Sequence, residues 1–256
     1  RCSVMELFSF PTDHEFEFNC EIRRFAAERG LPFTEQPIRL DDIHRMKQAG
    51  CEAIFCAGYA YRVPVDHSLP IVNVHPSLLP IGRGAWPMPV AILRGLTEGG
   101  VTLHKMEQSF DTGDILLQQA FPIGPKDNLE MVTEQVRTAA VALCRQMVSD
   151  FDRIWAEGRP QGEGEYWPCP QKADYTITAD TSPQATEQIL RAFFGYDCYL
   201  KTEEAEYQIV RGIFRPGTSD KPFGTAELRP DGTRVYVVQG GVIETAEDRK
   251  CKNHET

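Results

Sequence analysis

Residues 73–114 read NVHPSLLPIGRGAWPMPVAILRGLTEGGVTLHKMEQSFDTGD, and this stretch decides the fold. It begins inside an apolar run, Leu69–His75, that reads as a strand closed by Pro76. Asn73 and His75 stand two apart on that strand, so their side chains leave from one face. Past Pro87 the pattern VAILRG predicts a helix stopped by Gly95. Val101–Glu107 and Ile115–Phe121 alternate as strands and are joined by an acidic turn, Asp111–Asp114.

Upstream, Cys2–Phe10 and Glu52–Tyr59 read as buried strands. Asn19–Arg29 reads as a helix, with Ile22, Phe25, Ala26 and Ala27 near helical spacing and Gly30 as its stop. Pro37–Leu40 is expected as a short strand, and Asp41 and Asp42 as caps of a helix ending near Gly50. Strands alternating with helices argue for an α/β fold with a mostly parallel sheet. In such sheets ligands gather at the carboxyl ends of strands, where Asn73 and His75 lie.

Downstream, Asn128–Glu157 is expected as one long helix with the stripe Leu129, Val132, Val136, Ala140, Leu143 and Met147. Residues 158–171 read as a linker rich in Gly, Pro and Gln. A helix over Ser182–Phe194 and strands at Tyr207–Val210, Gly224–Leu228 and Val235–Val238 describe a small β-rich module. The expected division is therefore a main domain over 1–157, a linker over 158–171, the module over 172–246 and a polar tail over 247–256.

The 256 residues carry a formal net charge of -10, with 41% apolar and 25% charged residues. That composition is ordinary for a globular protein and disfavours sequence-independent attraction to nucleic acid. Eight cysteines without a C-x-x-C pair point to reduced thiols and a cytoplasmic location. No Cys/His cluster suggests a metal, and no apolar run is long enough to span a membrane.

An amide and an imidazole at one strand end can both donate to a single oxygen. If the turn at Asp111 folds back, its carboxylate can hold the His75 ring in its charged form. Such a trio suits acyl transfer to an amine: the carbonyl oxygen gains charge, and Asn73 and His75 stabilise it. Asp111 would orient His75 and relay the proton that the amine loses. Either an N-x-H strand or a D-x-G-D turn alone is commonly structural. His104 is expected on a strand surface, and Asp114 as a brace of its turn.

Asn73–Pro80 (NVHPSLLP), Gly82–Pro87 (GRGAWP), Gly100–Leu103 (GVTL) and Asp111–Asp114 (DTGD) together resemble the signature of folate-dependent formyltransferases. That family includes methionyl-tRNA formyltransferases and enzymes acting on amino sugars of nucleotide sugars. The resemblance is strong from Glu52 to Phe121 and fainter around Arg191. It implies a Rossmann-like formyltransferase domain using 10-formyltetrahydrofolate, with Asn73, His75 and Asp111 as catalytic residues and no metal. It further implies folate contacts from Tyr59, Ala60, Tyr61, Arg62 and Val63, and from Ser77, Leu78, Leu79 and Pro80. Arg83 and Trp86 are candidates for the acceptor side.

Relative to the family, a strand and helix are expected to be missing upstream of Cys2–Phe10, as in an incomplete version of a longer protein. The tRNA-acting members of that family carry a basic, glycine-rich loop after the second strand; here that position reads Ser9–Phe18 and is acidic and aromatic. The expected acceptor is thus a small amine, such as an amino sugar nucleotide or an amino-acid derivative. A methionyl-tRNA acceptor, hydrolysis of the formyl-folate and a non-catalytic folate-binding fragment are the alternatives. The C-terminal module is expected to position the acceptor or to make a homodimer contact.

Overall fold

The computed structural model describes residues 2–11 and 18–251. The expected loop Ser9–Phe18 therefore falls largely outside the described residues at 12–17, as does the tail beyond Cys251. In chain order the strands and helices are β1 (Leu7–Phe8), α1 (Phe18–Arg29), β2 (Phe33–Thr34), α2 (Leu40–Gln48), β3 (Ile54–Ala57), β4 (Ile71–His75), β5 (Ile81–Arg83), α3 (Pro87–Leu93), β6 (Glu98–Lys105), β7 (Ile115–Pro122), α4 (Leu129–Ser149) and α5 (Phe151–Ala156). There follow β8 (Glu165–Tyr166), β9 (Thr176–Ile177), α6 (Pro183–Ala192), β10 (Cys198–Lys201), β11 (Glu206–Ile209), β12 (Gly212–Pro216), β13 (Ala226–Leu228), β14 (Arg234–Val238), β15 (Gly241–Thr245) and β16 (Asp248–Lys250).

Two compact units share the chain, and their boundaries differ from the expected division at 158–171. The first comprises residues 1–75, 101–119 and 140–164; the second comprises 76–100, 120–139 and 165–256. The reason is apolar packing. Ile92 of α3 and Leu129 and Val132 of α4 join one core cluster with Ile189 and Leu190 of α6 and with Leu200, Ile209 and Ile243. Burying each such side chain fully is worth about 1.5–3 kcal/mol, which outweighs proximity along the chain.

In the first unit the sheet order is β3-β4-β6-β7. It is mixed, not mostly parallel. β3 and β4 run parallel, with Cys56 opposite Asn73. β6 runs antiparallel to β4, with His75 opposite Thr102. The start of β6 thus lies beside the end of β4, so the chain re-enters at the end it left and needs no crossover. β1 and β2 form a separate parallel pair. Residues Ile38, Ile43, Met46, Val63, Leu69 and Ile71 are buried together, with Phe8, Ile54 and Tyr59 packed against them.

Several elements are shorter than the sequence suggests. Only Leu7–Phe8 of the first run is strand, because it pairs with a two-residue partner. Pro37–Leu40 is not a strand; Leu40 already begins α2, and the Asp42 carboxylate accepts from the Arg39 backbone N–H at 3.0 Å. The long helix breaks at Asp150, whose φ of -150° is not helical. Just before it, the Ser149 hydroxyl donates back to the Gln146 carbonyl at 2.7 Å, a local bond that competes with helix propagation.

In the second unit β12-β15-β14-β13 form an antiparallel sheet, and β16-β11-β10-β9 form a second one with β9 parallel to β10. Helix α6 matches its expected span closely: the Ser182 hydroxyl accepts from the Ala185 N–H at 3.2 Å, and Pro183 occupies the first turn. Among the described residues no helix is long and apolar enough to cross a membrane, and no group of three His, Cys, Asp or Glu could hold a metal ion.

Candidate active site

Asn73 and His75 occupy the carboxyl end of β4, and Asp111 lies in the turn between β6 and β7. The turn does fold back. One carboxylate oxygen, Asp111 Oδ1, stands 3.5 Å from His75 Nδ1 and 3.3 Å from Asn73 Nδ2. The His75 ring is 4% exposed. A carboxylate facing a buried imidazole ring stabilises its charged form by Coulomb attraction that little solvent screens.

A fourth group joins them that the sequence placed elsewhere. His104 was expected on a strand surface, yet it is 1% exposed. The run Val101–His104 on β6 is buried throughout, so both faces of that strand are covered. His104 Nε2 lies 3.0 Å from Asn73 Nδ2 and 3.5 Å from the same Asp111 oxygen. Its Nδ1 meets the Lys105 carbonyl at 2.7 Å. The Asn73 amide nitrogen is thus within hydrogen-bond reach of both His104 and Asp111.

The turn that carries Asp111 is held from three sides. Asp111 has φ of 55°, a left-handed conformation that Asp tolerates better than most residues. The Gln161 amide donates to the carbonyls of Asp111 at 2.9 Å and Gly113 at 2.7 Å. Arg62 donates to the Gln108 carbonyl at 3.1 Å, and the Gln108 amide donates to the Val65 carbonyl at 2.7 Å. These bonds tie the turn to the Tyr59–Val63 loop. Gln161 lies in the expected linker, where Arg159 and Ile115 exchange backbone hydrogen bonds at 2.8 and 2.9 Å. A glutamine 50 residues away from its partner carries no local sequence signal.

Within the Tyr59–Val63 loop, Tyr59 and Tyr61 meet edge-on at 5.5 Å, and Phe10 lies 6.5 and 6.4 Å from their rings. The Tyr59 hydroxyl accepts from Ile38 N–H at 3.0 Å, and Val63 is buried. Ala60 and Arg62 are exposed. The loop offers an aromatic wall on a fixed backbone.

The remaining candidates belong to the second unit. Ser77 is buried and donates from its hydroxyl to the Ile81 carbonyl at 2.8 Å; Leu79 is buried too, while Leu78 and Pro80 are half-buried. The Ser77–Pro80 segment is thus shaped by its own bonds. Trp86 packs edge-on against Phe193 at 5.6 Å and Tyr196 at 5.2 Å, a core contact rather than an open binding face. Arg83 is half-buried on β5, and its carbonyl accepts from Trp167 N–H at 2.7 Å.

Cys56 lies opposite Asn73 on β3. Burial, with a smaller push from the Asp111 charge, raises its thiol to about 11. At pH 8 it should carry about a hundredfold less thiolate than an ordinary cysteine. Iodoacetamide labelling of the native protein, mapped by peptide mass spectrometry, should leave Cys56 unmodified while exposed Cys2 and Cys169 react. Rapid labelling of Cys56 would show that this side of the site is open.

A cavity of about 270 Å³ lies at the other end of β4, lined by Leu69, Pro70, Ile71, Lys105, Glu107 and Trp155 among others. None of the four polar residues above lines it. Its charges are already paired: Lys105 binds Asp114 at 3.0 Å, and His67 stands 3.9 Å from Glu107.

Residues 26–148 match the family described as Formyl transferase. A methionyl-tRNA formyltransferase from Synechocystis sp. is 34% identical over 182 residues, covering 67% of this chain and 55% of that protein. The chain thus spans little more than half the length of that relative. Among solved structures, HypX from Aquifex aeolicus in complex with tetrahydrofolic acid superposes with a TM-score of 0.75 at 18% identity, over 96% of this chain and 44% of HypX. A 4-N formyltransferase from Francisella tularensis gives 0.62 at 21% identity, over 78% of this chain and 82% of that one. These two likenesses concern the fold. On the family match and the sequence relative, the chain belongs to the formyl transferase family.

Proposed function

We propose that this protein transfers a formyl group from 10-formyltetrahydrofolate to the amine of a small acceptor, such as an amino sugar nucleotide or an amino-acid derivative. The observation that carries this reading is the buried convergence of His75, Asn73 and His104 on one oxygen of Asp111. The amine nitrogen attacks the formyl carbon, and its oxygen gains negative charge. His75, kept cationic by Asp111, donates to that oxygen. The bond to folate N10 then breaks; N10 takes up a proton, and the amine nitrogen gives one up, with Asp111 or water as relay. Tyr59–Val63 and Ser77–Pro80 are the segments that would contact the folate, and the aromatic wall of Tyr59 and Tyr61 suits its ring. Arg83 remains a candidate for an acceptor phosphate or carboxylate, a task that matches the guanidinium fork.

The net charge of -10 supports a small acceptor over a polyanion. Methionyl-tRNA is the second reading, favoured by the naming of the Synechocystis relative. The deciding experiment incubates the protein with 10-formyltetrahydrofolate and a panel of amines that includes nucleotide-linked amino sugars, amino acids and methionyl-tRNA, and follows N-formyl product by mass spectrometry. A product with a small amine is the expected result. Product with methionyl-tRNA alone would select the second reading. Formate released at one rate with or without amine would make the protein a formyl-folate hydrolase, and folate binding without any turnover a non-catalytic one.

A further inference from the structure

Gln161 has no part in the chemistry just described, yet two backbone carbonyls of the Asp111 turn end on its side chain. The antiparallel bridge between Ile115 and Arg159 sets the register. Gly113 lies two residues before Ile115 and Gln161 two residues after Arg159, so the two stand opposite each other. Gln161 Nε2 donates to the Asp111 carbonyl at 2.9 Å and to the Gly113 carbonyl at 2.7 Å. A backbone carbonyl only accepts, and the amide nitrogen has two hydrogens, so each bond takes one. Turning the amide over would set one oxygen against two others. The orientation follows from these acceptors alone, whatever the charge on the nearby imidazoles.

We infer that Gln161 is a positioning residue for formyl transfer: its carboxamide clamps the turn so that Asp111 stays in its left-handed conformation with the carboxylate aimed at His75. This rests on the formyl-transfer reading and deepens it. Asp111 has φ of 55°, a region that a non-glycine residue keeps only where its surroundings hold it. The direction of the Cα–Cβ bond turns with the backbone. Relaxation of φ to the common negative range would therefore carry the carboxylate away from His75 Nδ1, which stands 3.5 Å from Oδ1. Arg62 and Gln108 brace the residues before Asp111. Gln161 braces Asp111 itself and the residues after it.

The clamp acts on aim rather than on folding. The pairing of Arg159 with Ile115 uses its own two backbone bonds, so it persists without the Gln161 side chain. Losing the carboxamide frees the turn and little else. The Tyr59–Val63 loop is held by the Tyr59 hydroxyl, by Arg62 and by its ring contacts, none of which involves Gln161.

The test has two arms. Gln161→Met keeps the length and bulk of the side chain and removes the donor. Gln161→Glu keeps the shape but, at pH 8, sets a carboxylate oxygen against the two carbonyls. With the amine that the wild type formylates, kcat should fall about tenfold in the first variant and about a hundredfold in the second, with the KM for the formyl donor within about twofold in both. A folded Gln161→Met variant with wild-type kcat would overturn the assignment. So would a Gln161→Glu variant no slower than Gln161→Met, since filling space would then be the whole role, or a donor KM that rises as kcat falls. The second arm needs no turnover: in Gln161→Met, hydrogen–deuterium exchange should quicken by about tenfold or more in peptides from the 106–114 turn and stay unchanged in those from α2. Exchange at the wild-type rate in the turn would overturn the clamp. A wild type that forms no N-formyl product with any amine would remove the functional reading, while the exchange arm would still decide whether Gln161 holds the turn.

Discussion

Replacing His75 with alanine is expected to lower formyl transfer by about a thousandfold, because the change removes the donor to the developing oxyanion. Single oxyanion donors are typically worth about 10²–10³ in kcat. The upper end is expected here because His75 is 4% exposed and faces Asp111, so no solvent replaces its charge. The loss should appear in kcat. Affinity for the folate should change little, since the Tyr59–Val63 loop is held by Ile38, Gln108 and its own aromatic contacts rather than by His75. His75→Gln should recover part of the rate, because an amide donates but carries no charge. Steady-state kinetics with a folate-binding measurement on each folded variant checks this. Turnover near the wild-type level in His75→Ala would remove the mechanism.

The second large effect is structural. A Cβ added to Gly113 would lie 1.9 Å from the Lys105 carbonyl oxygen and 2.8 Å from its carbon. Both are backbone atoms of β6, which cannot swing aside as a side-chain tip can. Gly113→Ala must therefore push the turn off the strand. The same turn carries Asp111, two residues earlier, and both carbonyls that receive Gln161. We expect a loss of about 2–4 kcal/mol in stability, read by urea unfolding. A displacement of about 1 Å at a catalytic group costs about a hundredfold in rate, so activity should fall even in the folded fraction. Gly217→Ala is the control: nothing lies within 4 Å of its added Cβ, and both readouts should stay near wild type. A stable, active Gly113→Ala would show that the turn has another seat.

The parts of the site that were legible in the sequence are those that depend on neighbours along the chain. Asn73 and His75 share a strand face because strand side chains alternate, and Pro76 ends the strand. Asp111 sits in a turn because D-T-G-D favours one. Features that failed depend on partners. The sheet was expected to be mostly parallel, but direction is set by where β6 re-enters beside β4, not by the alternation of strands and helices. His104 was expected on a strand surface; burial on both faces comes from what packs around β6.

By itself, then, the sequence determined the chemistry on offer: an amide and an imidazole on one strand face, a carboxylate in a tight turn, and loops whose glycines and prolines restrict the backbone. Only the tertiary structure decided how those groups are wired. One carboxylate oxygen faces Asn73, His75 and His104 because the register of β4 on β6 and the closure of the 106–114 turn bring them within 3.5 Å. Hydrogen bonding is directional and short-ranged, so which atom of an amide or an imidazole is left for a substrate depends on neighbours dozens of residues away, and no local pattern encodes them.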